Sequence, residues 1–300
     1  MNEIILKLLP VLLIIPLGYF LKRIKLFTIE DSNTLNKIII NLLLPAILFR
    51  AFSKISITKA LLILPLSGSL IILSLFVISI VISKIFRFEK KLAGSFTILF
   101  ASMEGGLIAY PLFLVLFGEQ GLAAFAFWDI ANALIVFTLL YFWACKCGND
   151  NSNVLLSLKK MITSPVIIAI VLGLLFSYLK LNIELLNGVL TPLGNATPAI
   201  IMLTLGIAIE PDVKGLKLPI YTIILKTIIG GLLGFFIVEI FDFQGLYKLV
   251  TIVGATLPAT PVMYVFATQQ DLEKEYIANY LSIALPIGIL VAGLILGILS

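Results

Sequence analysis

Four polar side chains stand inside hydrophobic runs of this sequence, and they are the groups best suited to chemistry. Glu104 lies about a dozen residues into its run, near the centre of a bilayer if the run spans one. Asp129 and Asn132 share a helix face at i, i+3 spacing, and Lys226 lies inside a separate run. Because a lone charge at membrane depth is costly, we expect Lys226 to pair with Asp129 or Glu104. Such a pair is either a structural brace or a gate that a proton or a substrate anion opens.

Two hydrophobic runs also contain residues that break helices. The first, at 101–118, joins a carboxylate to two glycines and a proline: Glu104, Gly105, Gly106 and Pro111. The second, at 254–268, contains threonines, prolines and a tyrosine: Thr256, Pro258, Thr260, Pro261 and Tyr264. Irregular backbone at membrane depth is tolerated only where it lines a cavity or is buried in protein. Paired interrupted helices are a sequence signature of a transporter's binding site, so these residues are predicted to contact a substrate or a coupling ion.

The composition is that of an integral membrane protein. Of the 300 residues, 61% are hydrophobic and 12% are charged, whereas a soluble domain is roughly half apolar and a quarter charged. The net charge of +5 is spread over short loops, which argues against a nucleic-acid partner. The chain has no histidine and two cysteines, Cys145 and Cys147, so neither a metal site nor Ser–His catalysis is expected. We expect no cofactor beyond a coupling ion, either a proton or sodium.

Ten predicted membrane spans, each roughly 20 apolar residues long, must position these side chains. The spans, numbered 1 to 10, cover residues 4–21, 34–53, 60–83, 92–117, 121–143, 163–179, 190–209, 217–240, 245–268 and 276–299. The longest loop, 144–162, is predicted to be a cytoplasmic linker between two five-span halves, 1–143 and 163–300. The predicted fold class is therefore all-α integral membrane, embedded in a lipid bilayer.

Lysine and arginine residues in the loops predict the orientation. Loops that follow odd-numbered spans hold thirteen of them, and the opposite side holds six. The odd loops are therefore predicted to be cytoplasmic. The protein is predicted to be a multi-pass protein of the cell (inner) membrane, with both termini outside the cytoplasm. Because each half has five spans, related halves must form inverted repeats. A Pro-Ala-Ile sequence shared by Pro45 and Pro198 supports this relation.

Three further features are expected to serve packing or lining. Asn41 and Asn195 lie near prolines of spans 2 and 7, where they either form interhelical hydrogen bonds or line a cavity. The sequence GGLLG at 230–234 places small residues on one face of span 8, which favours close helix packing.

Several segments together resemble the auxin efflux carrier family, the bacterial relatives of the plant PIN carriers. They are LLLPAILF (42–49), SMEGGLIAYPL (102–112), WDIAN (128–132), TLGIAIEP (204–211), LPATPVMYVFA (257–267) and LSIALPIGI (281–289). Their order extends over nearly the whole chain. In the family's first broken helix an Asn usually stands seven residues before the proline, and here that position is Glu104.

The resemblance implies two inverted five-helix repeats, with broken helices 4 and 9 crossing near the midplane. Spans 1, 2, 6 and 7 would form a scaffold that often makes a homodimer contact, and spans 3–5 and 8–10 would form a moving transport unit. Family substrates are small organic anions, including dicarboxylates. The departure at Glu104 places a protein carboxylate where a substrate carboxylate would approach, and two such charges repel in a dry site.

The sequence therefore predicts a secondary active transporter, not an enzyme, that moves a small organic solute by alternating access. A carboxylate anion is the expected solute, and Glu104 suggests coupling to protons. The alternative within transport is a sodium or proton exchanger in which Asp129 and Lys226 titrate together. An intramembrane enzyme that uses Glu104 and Asp129 as a dyad, or a receptor without transport, are the alternatives from other classes.

Overall fold

The computed structural model describes residues 9–55, 58–149, 162–181, 184–209 and 215–299, together with the isolated positions Leu155 and Lys159. Within these residues the chain is helical, with turns and short extended connections and without a β-strand. Helix starts follow local sequence signals. Thr28 and Asp31 form a capping box before one helix, and Ser164 caps another whose first residue is Pro165.

The described helices are numbered in chain order. Those of the first half are α1 (Ile14–Arg23), α2 (Ile29–Ile38), α3 (Leu44–Ser53), α4 (Lys59–Ile85), α5 (Lys90–Ala101), α6 (Tyr110–Ile135) and α7 (Tyr141–Cys147). Three five-residue π turns connect neighbouring helices, at Ile39–Leu43, Gly105–Ala109 and Val136–Leu140. Those of the second half are α8 (Pro165–Tyr178), α9 (Glu184–Ala208), α10 (Lys217–Phe241), α11 (Gly245–Thr256), α12 (Val262–Gln270) and α13 (Lys274–Leu299).

Six helical stretches among the described residues are long and apolar enough to cross a membrane. They are Ile29–Ser53, Leu61–Ile85, Lys90–Cys147, Glu184–Ala208, Lys217–Phe241 and Lys274–Leu299, and Pro165–Tyr178 and Gly245–Thr256 are shorter apolar helices. An all-helical protein with several membrane spans is therefore confirmed. The first predicted span begins outside the described residues, and α1 covers its second half.

Spans 4 and 5 meet differently from the sequence prediction. The prediction leaves a loop at 118–120, but α6 continues through these residues and kinks at Gly118, whose φ of 64° lies in the left-handed region. Glycine adopts such a φ without a Cβ clash, so it bends the chain where a loop was expected. Glu119 follows directly after this kink. Helix α7 likewise continues to Cys147, into the segment predicted as linker.

The helices pack in two groups. Helices α1, α3, α8 and α9 contact one another and form the first group. Helices α4 to α7 and α10 to α13 contact one another and form the second group, and α6 meets the first group at α3 and α9. The predicted small-residue face of span 8 is confirmed, because Gly230 and Gly234 of α10 lie against the backbone and Cβ of Ala255 in α11.

Candidate functional site

The two breaks in the membrane helices touch through their backbones. Helix α5 ends at Ala101, the chain is extended through Ser102, and the π turn begins at Gly105. Helix α11 ends at Thr256 and helix α12 begins at Val262. Between them, the backbone N–H of Glu104 donates to the carbonyl oxygen of Pro258, at 2.9 Å. The predicted residues of the two runs are thus brought to one junction.

Asn132 holds the extended residues of the first break in place. Its Oδ1 accepts from the backbone N–H of Met103 at 3.1 Å, and its Nδ2 donates to the carbonyl of the same residue at 2.9 Å. Because α5 ends at Ala101, the N–H and the carbonyl of Met103 have no helical partners. The side-chain amide of Asn132 bonds to both groups instead. Both residues are buried, so these bonds satisfy backbone groups that water cannot reach.

Glu104 caps the helix that follows it. Its Oε1 accepts from the backbone N–H of Leu107 at 2.8 Å, and the side chain is 5% exposed. The hydroxyl of Thr260, in the connection between α11 and α12, is a neighbour of this carboxylate. Carboxylates are favoured at helix N-termini, where N–H groups lack partners and the helix dipole is positive. The Glu104 carboxylate therefore occupies the place before α6 where a helix N-terminus would otherwise attract a bound anion.

Asp129 is the second acid of the junction. It accepts from the Tyr110 hydroxyl at 3.0 Å through Oδ2 and from Asn132 Nδ2 at 2.9 Å through Oδ1. A Cβ added to Gly105 would lie 2.5 Å from its Oδ2, so only glycine lets the backbone approach this carboxylate. Asn132 thus links Asp129 to the first break.

Lys226 does not form the predicted ion pair. It is 1% exposed, and its Nζ donates to the carbonyl oxygens of Leu99, at 2.8 Å, and of Ser102. No carboxylate among the described residues lies within ion-pair distance of this ammonium group. The carbonyls at the end of α5 lack helical partners, and the helix dipole is negative there, so a cation caps this helix end.

The second break is held by neutral groups. The N–H of Ala259 donates to the Tyr280 hydroxyl of α13 at 3.2 Å, and the Pro258 ring packs against Gly288 of the same helix. The Thr256 hydroxyl donates to the carbonyl of Val253 in its own helix at 2.9 Å. Helix α12 begins after Pro261 without a side-chain cap.

Some predicted site residues lie elsewhere. Tyr264 is 43% exposed on α12. Asn41 is exposed and donates to the carbonyl of Lys37 within its own turn, and Asn195 is exposed on α9. Pro111 is the second residue of α6, a position that tolerates proline, directly after the π turn that contains Gly106.

A cleft of about 210 Å³ reaches the junction at Asp129. It lies between α6 and the first half of α8, and we call it the Asp129 cleft. Its lining includes Tyr110, Asp129, Phe137, Ser164 and Ile167. The arrangement can bind a proton or a cation at two neighbouring acids and can bind a solute from the cleft beside them.

Sequence reasoning missed Tyr280 and the backbone of Met103 and Leu99. Tyr280 directly precedes the segment 281–289 that carries part of the resemblance, but nothing in its spacing indicated a partner in span 9. The backbone groups follow from the position of the break, because a helix that ends at Ala101 must leave its last carbonyls unpaired.

Comparisons with known proteins show the family of the chain. A family model described as membrane transport protein matches residues 3–296. An uncharacterized transporter of Methanocaldococcus jannaschii is 29% identical over 299 residues, which cover 95% of this chain and 95% of the relative. An uncharacterized transporter of Methanothermobacter thermautotrophicus is 24% identical over 283 residues, 90% of each chain. The chain therefore belongs to the membrane transport protein family, that of the auxin efflux carriers.

Proposed function

We propose that this protein is a secondary active transporter that moves a small organic solute past the junction of its two broken helices. The observation that carries the proposal is the hydrogen bond from Glu104 N–H to the Pro258 carbonyl, with the Glu104 and Asp129 carboxylates beside it. Chain breaks that meet at membrane depth expose backbone donors and acceptors to a ligand. The second helix group would move against the first group to alternate access.

We propose further that transport is coupled to protons through Glu104. Two acids share the junction, and the nearest buried cation, Lys226, is bound to carbonyl groups instead. A buried carboxylate needs a compensating proton, cation or set of donors. Loading Glu104 with a proton removes the repulsion that an incoming carboxylate would meet.

A small carboxylate is the proposed solute. The start of α12 has no acidic cap, in contrast to the start of α6, which has Glu104. Two of the first N–H groups of α12, those of Met263 and Tyr264, bond to the carbonyls of Thr260 and Pro261, so the attraction for an anion comes from the uncapped helix dipole. The solute would lie at this helix start, beside Thr260. It would enter through the Asp129 cleft.

The test begins with a ligand screen of the purified protein. Small carboxylates, amino acids and sodium are added at two pH values, and a bound ligand raises the apparent Tm. The best ligand is then followed into proteoliposomes under an imposed pH gradient. We expect uptake by the parent to rise with the inward proton gradient, and Glu104→Gln to lose that dependence and about tenfold or more of its rate.

Glu275→Gln is the matched control, because this glutamate is exposed at the start of α13. It should keep both the rate and the pH dependence of the parent. Full uptake by Glu104→Gln with an unchanged response to the pH gradient would remove Glu104 from proton coupling.

Sodium or proton exchange is the second candidate function, because the two acids face no cationic side chain. Vesicles loaded with sodium or protons are diluted without any organic solute. An exchanger dissipates the gradient under these conditions, whereas a solute carrier holds it. The pairing of Asp129 with Lys226 that this alternative first required is not present.

We also propose the finer architecture that the sequence predicts: ten spans in inverted repeats of 1–143 and 163–300, crossing at the junction, with both termini outside the cytoplasm. The exposed Asn195 of α9 supports a homodimer through the first group, since an exposed amide at membrane depth gains from a partner. The mass of the protein in nanodiscs distinguishes a dimer from a monomer.

A further inference from the structure

A second charged cluster lies at the other end of the boundary between the two helix groups. Arg50, near the end of α3, forms an ion pair with Glu119, directly after the kink of α6. Lys54 Nζ lies 3.5 Å from the other oxygen of the same carboxylate. Arg50 and Lys54 therefore both contact the Glu119 carboxylate. This carboxylate links α3 of the first helix group to α6 of the second group.

Two members of this cluster, Lys54 and Glu119, line a cavity of about 360 Å³, which we call the Lys54 cavity, and Arg50 lies behind Glu119, outside this lining. Its polar lining consists of Lys54, Thr58, Glu119, Gln120 and Tyr247. Basic and hydroxyl groups of this kind suit a carboxylate.

One face of α6 lines both the Lys54 cavity and the Asp129 cleft. Glu119 and Ala123 line the cavity, and Asp129 and Ala133 line the cleft further along the helix. Glu119 and Asp129 are separated by roughly 15 Å at 1.5 Å per residue. Between them, the ring of Phe127 stacks on Phe52 of α3, with centroids 5.6 Å apart. The cavity and the cleft thus lie along the same helix, with this buried aromatic pair between them.

Arg50 has hydrogen-bonding capacity that this arrangement leaves unused. The side chain is 11% exposed, and Nη2 contacts Glu119, but Nε and Nη1 are buried and have no partner in the described part of the chain. A guanidinium binds a carboxylate best through two parallel N–H···O bonds, so one acid held by one nitrogen uses only part of this fork. Unsatisfied buried donors are unfavourable, which favours exchange of Glu119 for a better-placed carboxylate.

We propose that Arg50, assisted by Lys54, forms a carboxylate-binding site that becomes reachable from the Lys54 cavity when Glu119 moves, and that Glu119 occupies this site as an internal substitute. A solute carboxylate displaces Glu119, releases the tie between the two helix groups and opens the cavity. The inference rests on the proposed solute class, but its test needs no transport.

The test is a thermal-shift titration with succinate in detergent. Glu119→Gln frees Arg50, so succinate should raise its Tm by about 2 °C or more beyond the shift of the parent. The double variant Arg50→Gln with Glu119→Gln should lose this gain. Sodium chloride at matched ionic strength controls for general salt effects. Equal succinate shifts in Glu119→Gln and in the double variant would overturn the proposal.

A second measurement does not depend on the folding of those variants. Ala123→Cys, in a background with Cys145→Ser and Cys147→Ser, places a thiol on the cavity wall at a site 1% exposed. Succinate should speed its labelling by a maleimide several-fold, because displacement of Glu119 opens the cavity. An unchanged labelling rate at saturating succinate contradicts the proposal. Failure of either measurement leaves the pH response of Glu104→Gln unaffected, so the two ideas fail separately.

Discussion

The break after α5 and the break after α11 meet at one hydrogen bond, but different groups stabilise them. At the first break a cation caps the end of one helix, a carboxylate caps the start of the next, and Asn132 binds the residue between them. At the second break a tyrosine hydroxyl binds one N–H, a threonine bonds within its own helix, and α12 starts without a cap.

The difference teaches that the two halves of the junction have separate roles. Lys226 lies at the negative C-terminal end of α5, and Glu104 lies at the positive N-terminal start of the helical segment that follows. The first break therefore contains charges opposite to both helix dipoles. At the second break, the Pro258 carbonyl accepts a hydrogen bond from the Glu104 N–H, which belongs to the first break. The start of α12 has no side-chain cap, so the positive end of its dipole is uncapped. The first break therefore contains the charged groups, and the second is the side at which we propose that a solute binds.

The largest expected effect tests the first break. Asn132→Leu leaves both backbone groups of Met103 buried and unpaired, which should lower the free energy of unfolding by about 2–4 kcal/mol. Asn41→Leu is the control, because this asparagine is exposed and bonds only within its own turn; its change should stay within about 0.5 kcal/mol. Unfolding in detergent with added denaturant measures both. Equal losses would show that Asn132 has no special part in the break.

A smaller effect is expected at the second break. Tyr280→Phe removes one neutral acceptor, that of the Ala259 N–H, and should cost about 1 kcal/mol. Tyr264→Phe, on the exposed face of α12, should leave the midpoint of unfolding unchanged. If Tyr280→Phe destabilises the protein as much as Asn132→Leu does, the contrast between the charged break and the neutral break is wrong.

The smallest effect concerns a surface contact between the same two broken helices. Lys91 of α5 forms a 2.6 Å ion pair with Asp271, just after α12, and this bond lowers the pKa of the Asp271 carboxyl from its ordinary value of 3.8. A lowered pKa stabilises the fold above the unfolded value, and the stabilisation disappears as the pH falls through the folded value.

Asp271→Asn should therefore lower Tm slightly and by a constant amount between pH 7 and about pH 5, and the two curves should converge as the pH falls below 3.8. Both side chains are about half exposed, so water and salt screen the pair. A Tm loss comparable with that of Asn132→Leu would mean that the surface pair, and not the buried break, holds the two helices together.

Part of the site could be predicted because it depends on local chemistry. Glycine and proline disrupt a membrane helix wherever they occur, so the runs at 101–118 and 254–268 indicated the breaks without knowledge of the fold. Buried acids and amides need partners, so Glu104, Asp129 and Asn132 indicated polar contacts. Asp129 and Asn132 do contact each other, as their i, i+3 spacing predicted.

The partner of Lys226 was predicted wrongly for a physical reason. The sequence shows a buried ammonium group and buried carboxylates, and opposite charges were the simplest pairing. The carbonyls of Leu99 and Ser102 become acceptors only because α5 stops at Ala101, and α10 packs where its lysine reaches them. Tyr264 was predicted to contact the ligand from its proximity to the second break; it is exposed on α12, and its part in binding stays a prediction.

The sequence by itself determined that this is a membrane-embedded helical protein with two broken helices and a few costly charges, because composition and backbone propensity act locally. Only the tertiary structure decided which charge faces which partner. Backbone groups carry no sequence signature, and a break releases them at positions that become binding partners only when another helix arrives. Lys226 on the Leu99 and Ser102 carbonyls and Arg50 on Glu119 are contacts between packed helices, so they follow from packing rather than from spacing.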